Sequence, residues 1–263
     1  EISCSLVGSE MCIRDRGGNM YEKHLEKFMS LDGRVAVVVG SFGSQDNGRA
    51  VAQSLLERGA LVVLASGGAA GDFSKMDGAE RPFSANLQNH QEIRSLYSEI
   101  KERYGKLDIL VICTDVYRGG SVTKATAEDW EISYQTNVYT LFQLVNNAIP
   151  YMYESGGVIV NVTGGRYVAA LPGMAPYVST TFAAVRMMKN FADEASKYKI
   201  RFNTVCAGNI SGEAKPTQAN YLGRTGTPED VGEAVAFLAS PAARFVNAAT
   251  IMLDGGSCDS GLH

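Results

Sequence analysis

Cysteine is scarce in this chain: 5 among 263 residues, an odd number, widely spaced and without a CxxC pair. That excludes a disulfide scaffold. Histidine is scarcer, and His24, His90 and His263 are too dispersed to share a metal ion. No apolar run exceeds about six residues, 35–39 being among the longest, far short of a bilayer span. Positive charge is not in excess either, since 24 Lys+Arg stand against 28 Asp+Glu for a formal net charge of −4. This balance lacks the electrostatic signature of a nucleic-acid or anionic-membrane binder. What remains is the composition of a soluble, cytoplasmic globular protein, 45% apolar and long enough to bury a sizeable core.

The first residues do not fit the rest. Residues 6–16 have neither the charged-then-apolar order of a signal peptide nor a clear amphipathic period. Met11-Cys12-Ile13-Arg14-Asp15 resembles one translated frame of a transposase sequencing adapter, and Arg16-Gly17-Gly18-Asn19 resembles a ribosome-binding site read through. Residues 1–19 are therefore expected to be a poorly packed, non-native leader, with Met20 the natural start and 20–263 one domain.

From Met20 onward, short β-branched runs alternate with longer amphipathic segments, the order that builds a parallel sheet covered by helices on both faces. Strands are expected at 35–39, 61–65, 109–113, 158–162, 202–206 and 250–253. Helices are expected at 48–57, 91–104, 127–155, 176–198 and 228–238, the last opened by Thr227-Pro228-Glu229-Asp230 as N-cap and first turn. No linker, repeat or charge block divides the chain, so the fold class is a single, doubly wound α/β domain of Rossmann type.

The first strand runs into Gly40-Ser41-Phe42-Gly43-Ser44-Gln45-Asp46-Asn47-Gly48 and then a helix. Glycines at such a turn allow positive φ and let a pyrophosphate approach the helix N-terminus; the same cluster also suits a tight turn with no ligand. Further on stand Gly105-Lys106-Leu107-Asp108-Ile109-Leu110-Val111, Gln135-Thr136-Asn137-Val138, Leu171-Pro172-Gly173-Met174-Ala175-Pro176-Tyr177 and Asp254-Gly255-Gly256. In this order, over 31–257, the chain resembles the short-chain dehydrogenase/reductase family. The resemblance implies NAD(P) bound through Gly40, Gly43, Gly48, Ser66, Asn86 and Gly208. It also implies catalysis by Tyr177 and Asn137, a small-molecule substrate and a homodimer or homotetramer.

Several positions depart from the family pattern. Its serine falls on Gly164, with Thr163 adjacent as a substitute only if the strand bulges; otherwise the Thr163 hydroxyl is expected to bond locally. Its lysine falls on Thr181, and no lysine follows on that helix until Lys189. Without that cation Tyr177 should stay protonated at neutral pH, near the ordinary value of ~10. A neutral phenol suits reduction better than oxidation.

Cofactor binding is weakened as well. Ser66 stands where a ribose-binding acid would select NAD, a slight lean to NADP, with Arg49 the only nearby base. Asp46 and Asp115 occupy glycine positions that face the cofactor. Each would repel a pyrophosphate by ~1 kcal/mol at 4 Å in water, unless both point to solvent or cap helices. Segment 67–72 is too glycine-rich for the family's usual helix, and the 208–223 lid is short, which leaves a more open cleft.

Two readings of function follow. One is an NAD(P)H-dependent reductase of a carbonyl or activated double bond, with Tyr177 as proton donor and Asn137 holding water or structure. The other is a catalytically degraded binding or oligomer-partner protein in which the dinucleotide binds weakly or is absent. A non-redox isomerase or lyase using Tyr177 has no second titratable partner visible in the sequence.

Overall fold

The structure is a computed structural model that describes residues 27–41, 46–67, 76, 78–165 and 172–257. The expected leader 1–19, Gly43 and most of segment 67–72 lie outside these residues. Seven strands form one parallel sheet in the order β3-β2-β1-β4-β5-β6-β7. They are β1 (Val35–Gly40), β2 (Leu61–Ser66), β3 (Glu80–Ser84), β4 (Ile109–Cys113), β5 (Gly157–Gly164), β6 (Ile200–Ala207) and β7 (Thr250–Leu253). The helices are α1 (Asn47–Leu56), α2 (His90–Tyr104), α3 (Ala127–Tyr134), α4 (Leu141–Ala148), α5 (Ala175–Glu194) and α6 (Pro228–Ala239).

Continuous apolar runs become central strands because both faces of the sheet are covered. Along β1, Val35, Val37 and Val39 enter one core with residues of α2, α4 and α5, while Ala36 and Val38 enter the other with residues of α1 and α6. Each of these valine side chains contributes about 1.5–3 kcal/mol by leaving water. At the N-terminal end of β4, Asp108 locks the sheet. Its carboxylate accepts from Arg34 at 2.9 Å and from the Val35 N–H at 2.8 Å, and pairs with Lys106 at 2.9 Å. Burial alone would raise its pKa, but the Val35 N–H, Lys106 and Arg34 outweigh that and hold it below the ordinary carboxylate value.

Two expectations need correction. β3 was not anticipated, because Glu-Arg-Pro-Phe-Ser is charged and carries a proline, which only an edge strand tolerates. The single helix expected over 127–155 is broken. α3 passes into a π-helical turn, Gln135–Thr140, then α4, then a 3-10 turn, Ile149–Tyr151, carrying Pro150 near its start. The N-terminal signal read from sequence holds, Thr227 with Asp230 forming a capping box, and the structure adds a second between Thr126 and Asp129.

Candidate active site

The sheet order reverses between β1 and β4, the place where an open parallel sheet leaves a crevice at its C-terminal end. A cleft of about 490 Å3 opens there, lined among others by Asp46, Gly48, Asp115, Thr163, Tyr177 and Gly208. No Lys, Arg or His is among the described residues that line it. A larger cavity, about 660 Å3, lies at the opposite end of the sheet around Asp108 and Arg201. It holds none of the residues that the sequence marks for chemistry.

Glycine at the first turn is required by close approach rather than by left-handed backbone. Gly40 pairs with Cys113 across β1 and β4, and a Cβ at Gly40 would come within 2.9 Å of the Cys113 carbonyl oxygen. Gly208, just after β6, is required in the same way, a Cβ there coming 2.6 Å from the Asp254 Cβ. Gly40, Gly48 and Gly208 are not among the positive-φ glycines, which corrects the conformational reason given above. Asp46 takes the N-cap backbone position of α1 without a side-chain cap hydrogen bond and lines the cleft.

Tyr177 lies in the first turns of α5, and its hydroxyl donates to the Asp115 Oδ2 at 2.7 Å. The same oxygen accepts the Gly164 N–H at 3.0 Å and a longer bond from the Thr163 hydroxyl at 3.4 Å. The Thr163 hydroxyl therefore reaches across strand ends instead of bonding locally. Asp115 likewise turns into the site and neither caps a helix nor points away. The sheet register explains this. β4 and β5 pair with Ile112 opposite Asn161, and that alignment, carried past the strand ends, sets Asp115 beside Gly164.

Asp115 is an exposed residue of the cleft wall whose Oδ2 faces Tyr177, Gly164 and Thr163. Loss of water raises its pKa, and the bonds from Tyr177, Gly164 and Thr163 only partly offset this. Burial, then the Asp115 charge and hydrogen bond, push the Tyr177 phenol well above its ordinary value. Both groups thus favour holding protons. The partner that a Tyr177-centred acid–base reaction lacked in the sequence is present, and the sequence reading had placed Asp115 only against the cofactor.

The other expected site residues lie outside the cleft wall. Asn137 accepts the Val116 N–H at 2.7 Å and donates to the Val116 carbonyl at 3.1 Å and the Thr180 hydroxyl at 3.0 Å. It clamps the loop after β4 to α5, the structural one of the two roles expected for it, and has no hydrogen bond to the Tyr177 hydroxyl. Thr181 is fully buried, and its hydroxyl donates to the Tyr177 and Val178 carbonyls of its own helix. Lys189 is tied to the Ala248 carbonyl at 2.9 Å. Ser66 is buried at the end of β2. Asn86 accepts the Gln88 N–H at 3.0 Å in the turn before α2.

The short lid folds on itself. Ile210 bridges to Gly226, Pro216 to Arg224, and Arg224 pairs with Asp230 at 2.7 Å. Among the described residues no cluster of three His, Cys, Asp or Glu could hold a metal ion. No helix of the described residues is long and apolar enough to cross a membrane.

Known proteins resemble this arrangement over most of the chain. A family model described as enoyl-(acyl carrier protein) reductase matches residues 45–258. The 3-oxoacyl-(acyl-carrier-protein) reductase of Thermotoga maritima is 28% identical over 251 residues, covering 87% of this chain and 99% of the relative. An uncharacterized oxidoreductase of Methylorubrum extorquens is 30% identical over 246 residues, covering 86% of this chain and 98% of the relative. A dehydrogenase/reductase from Sinorhizobium meliloti superposes with a TM-score of 0.81 at 25% identity, covering 89% of this chain and 99% of that one.

Proposed function

Because the chain belongs to the short-chain dehydrogenase/reductase family of oxidoreductases, we propose that it reduces a carbonyl or activated double bond with NAD(P)H, Tyr177 giving the proton. One observation carries this reading: a phenol kept protonated stands in the wall of the cleft at the β1/β4 switch point. A neutral phenol donates to a developing alkoxide and is a poor base for oxidation. The reaction therefore runs as reduction.

The residues of the cleft fit a dinucleotide on its glycine side. Gly40 and Gly208 leave space that a Cβ would fill, and Gly48 lies in the first turn of α1, whose free N–H groups would face a bound phosphate. Together with Gly43, Ser66 and Asn86 they would hold the nucleotide, Ser66 leaving room for a 2′-phosphate and hence a lean to NADP. When bound, the reduced nicotinamide supplies a hydride. Tyr177 supplies the proton at its hydroxyl, Thr163 and the Gly164 N–H hold Asp115 in place, and Asn137 fixes the loop that carries Asp115. The exposed aromatic side chains Trp130, Tyr134, Phe142 and Phe182 on α3, α4 and α5 support a homo-oligomer.

A second reading rests on Asp115 itself. Its carboxylate and that of Asp46 line a cleft without a described cation, an arrangement that repels phosphates and suits a degraded binding or partner protein. Titration calorimetry with NADPH and NADH separates the two. The reductase reading expects at least one to bind with Kd below about 1 mM, roughly −4 kcal/mol. Binding of neither overturns it in favour of the second.

A further inference from the structure

Tyr177 has one proton, and with Asp115 ionised that proton is directed to Oδ2 of Asp115, 2.7 Å away. Transfer to a substrate would then leave phenolate beside carboxylate. The charged or titratable neighbours offer no relief: Asp46 lines the same cleft, the Cys113 and Cys206 thiols face the pair from β4 and β6, and Tyr117 meets the Tyr177 ring edge-on at 5.4 Å. None is a cation. A reacting site needs either a lysine, which this chain lacks at Thr181, or a second proton.

We propose that Asp115 supplies it: protonated Asp115 donates from Oδ2 to the Tyr177 oxygen, so that Tyr177 gives its own proton to the substrate and takes that of Asp115 in return. This rests on the reductase reading above. The balance is closed. The substrate carbon takes a hydride from reduced nicotinamide, its oxygen takes the Tyr177 proton, Tyr177 takes the Asp115 proton, and the Asp115 carboxylate recovers a proton from water at the open edge of the cleft. Asp115 acts through Tyr177 and is a positioning residue.

Three departures from the family pattern become one arrangement. A Cβ at Gly164 would overlap the Tyr177 hydroxyl and lie 2.8 Å from its ring Cζ. Glycine there lets the phenol reach Asp115. The Gly164 N–H holds the carboxylate at 3.0 Å, and the Thr163 hydroxyl supports it at 3.4 Å. Thr181, where a lysine would supply charge, is turned into its own helix. Loss of water around the Asp115 carboxyl raises its pKa above the ordinary value, in agreement with the role.

The test compares wild type with Asp115→Asn, which keeps shape and an acceptor oxygen but has no proton to hand on. Single-turnover reduction with a saturating dinucleotide should fall about tenfold per pH unit above the Asp115 titration in wild type. In D115N it should be about 10–100-fold slower and flat over that range, with dinucleotide affinity no weaker than in wild type. In the protein without cofactor, the Tyr177 ring-carbon NMR signal should titrate lower in D115N, toward ~10. A D115N rate and pH profile equal to wild type, or an unmoved Tyr177 titration, overturns the relay while leaving the reductase reading standing. Failure of both NADH and NADPH to bind wild type overturns that reading and the relay with it.

Discussion

Two aspartates stand at opposite ends of β4 and meet opposite fates. Asp108, just before the strand, is 2% exposed and enclosed by Arg34, Lys106 and the Val35 N–H, so its carboxyl stays ionised below the ordinary range. Asp115, just beyond the strand, meets a phenol, a hydroxyl and one N–H but no described cation, and its carboxyl is pushed up. The difference separates two uses of the same residue. A buried carboxylate ringed by cations holds the sheet together. The carboxyl left without described cations holds its proton more readily and lines the cleft at the C-terminal end of the sheet.

The largest effect expected from breaking the comparison is at Asp108. Asp108→Ala leaves Val35 and two cations without their acceptor and should lose about 3–5 kcal/mol of stability, read as a lower midpoint in urea unfolding. Asp115→Ala should lose far less, because no described cation depends on it. A comparable loss from both variants would erase the distinction.

An intermediate effect is expected at Gly164. In Gly164→Ala the new methyl meets the Tyr177 ring, an overpacking that costs about 1–3 kcal/mol, and the phenol must leave Asp115. Its titration should then fall toward the ordinary ~10. Restoring the family serine and lysine at Gly164 and Thr181 should consequently fail to raise reductase activity unless Asp115 is also changed to Gly.

The smallest effect is the pH dependence of stability, and its sign differs between the two residues. The Asp108 contribution is present above the unfolded-state value of ~3.9 and is lost as pH falls through its lower folded value. Asp115, raised in the folded state, contributes stability that is present below ~3.9 and lost as pH rises through its folded value. Acidification from neutrality should first raise the unfolding temperature and then lower it. Asp115→Asn should remove the first limb and Asp108→Asn should weaken the second, as scanning calorimetry would record.

The sequence made the fold legible where burial on both faces leaves an unbroken apolar run, as at Ile109–Cys113, which matches expectation to the residue, and the half-buried edge strand Thr250–Leu253 matches as well. Capping chemistry at Thr227 and Asp230 was equally readable. β3 was not, because an edge strand can carry Glu80 and Pro82 where no second face demands apolar side chains. The break at Gln135–Thr140 was hidden too, since a π turn leaves no mark in the apolar period. At the site, the sequence marked Tyr177, Thr163 and the acids but not their union. Asp115 and Gly164 meet only through the parallel register of β4 with β5, a contact between residues far apart in the chain. The partners of Asn137 were not legible either, because its hydrogen bonds to Val116 and Thr180 depend on that same tertiary closure.

A carboxyl-carbon NMR titration of the aspartates, assigned with Asp108→Asn and Asp115→Asn, tests the account most directly. It should find Asp108 titrating below and Asp115 above the ordinary value of ~3.9, with Tyr177→Phe raising Asp115 further by removing a donor. Both titrating together near the ordinary value, or Asp115 below Asp108, would contradict it.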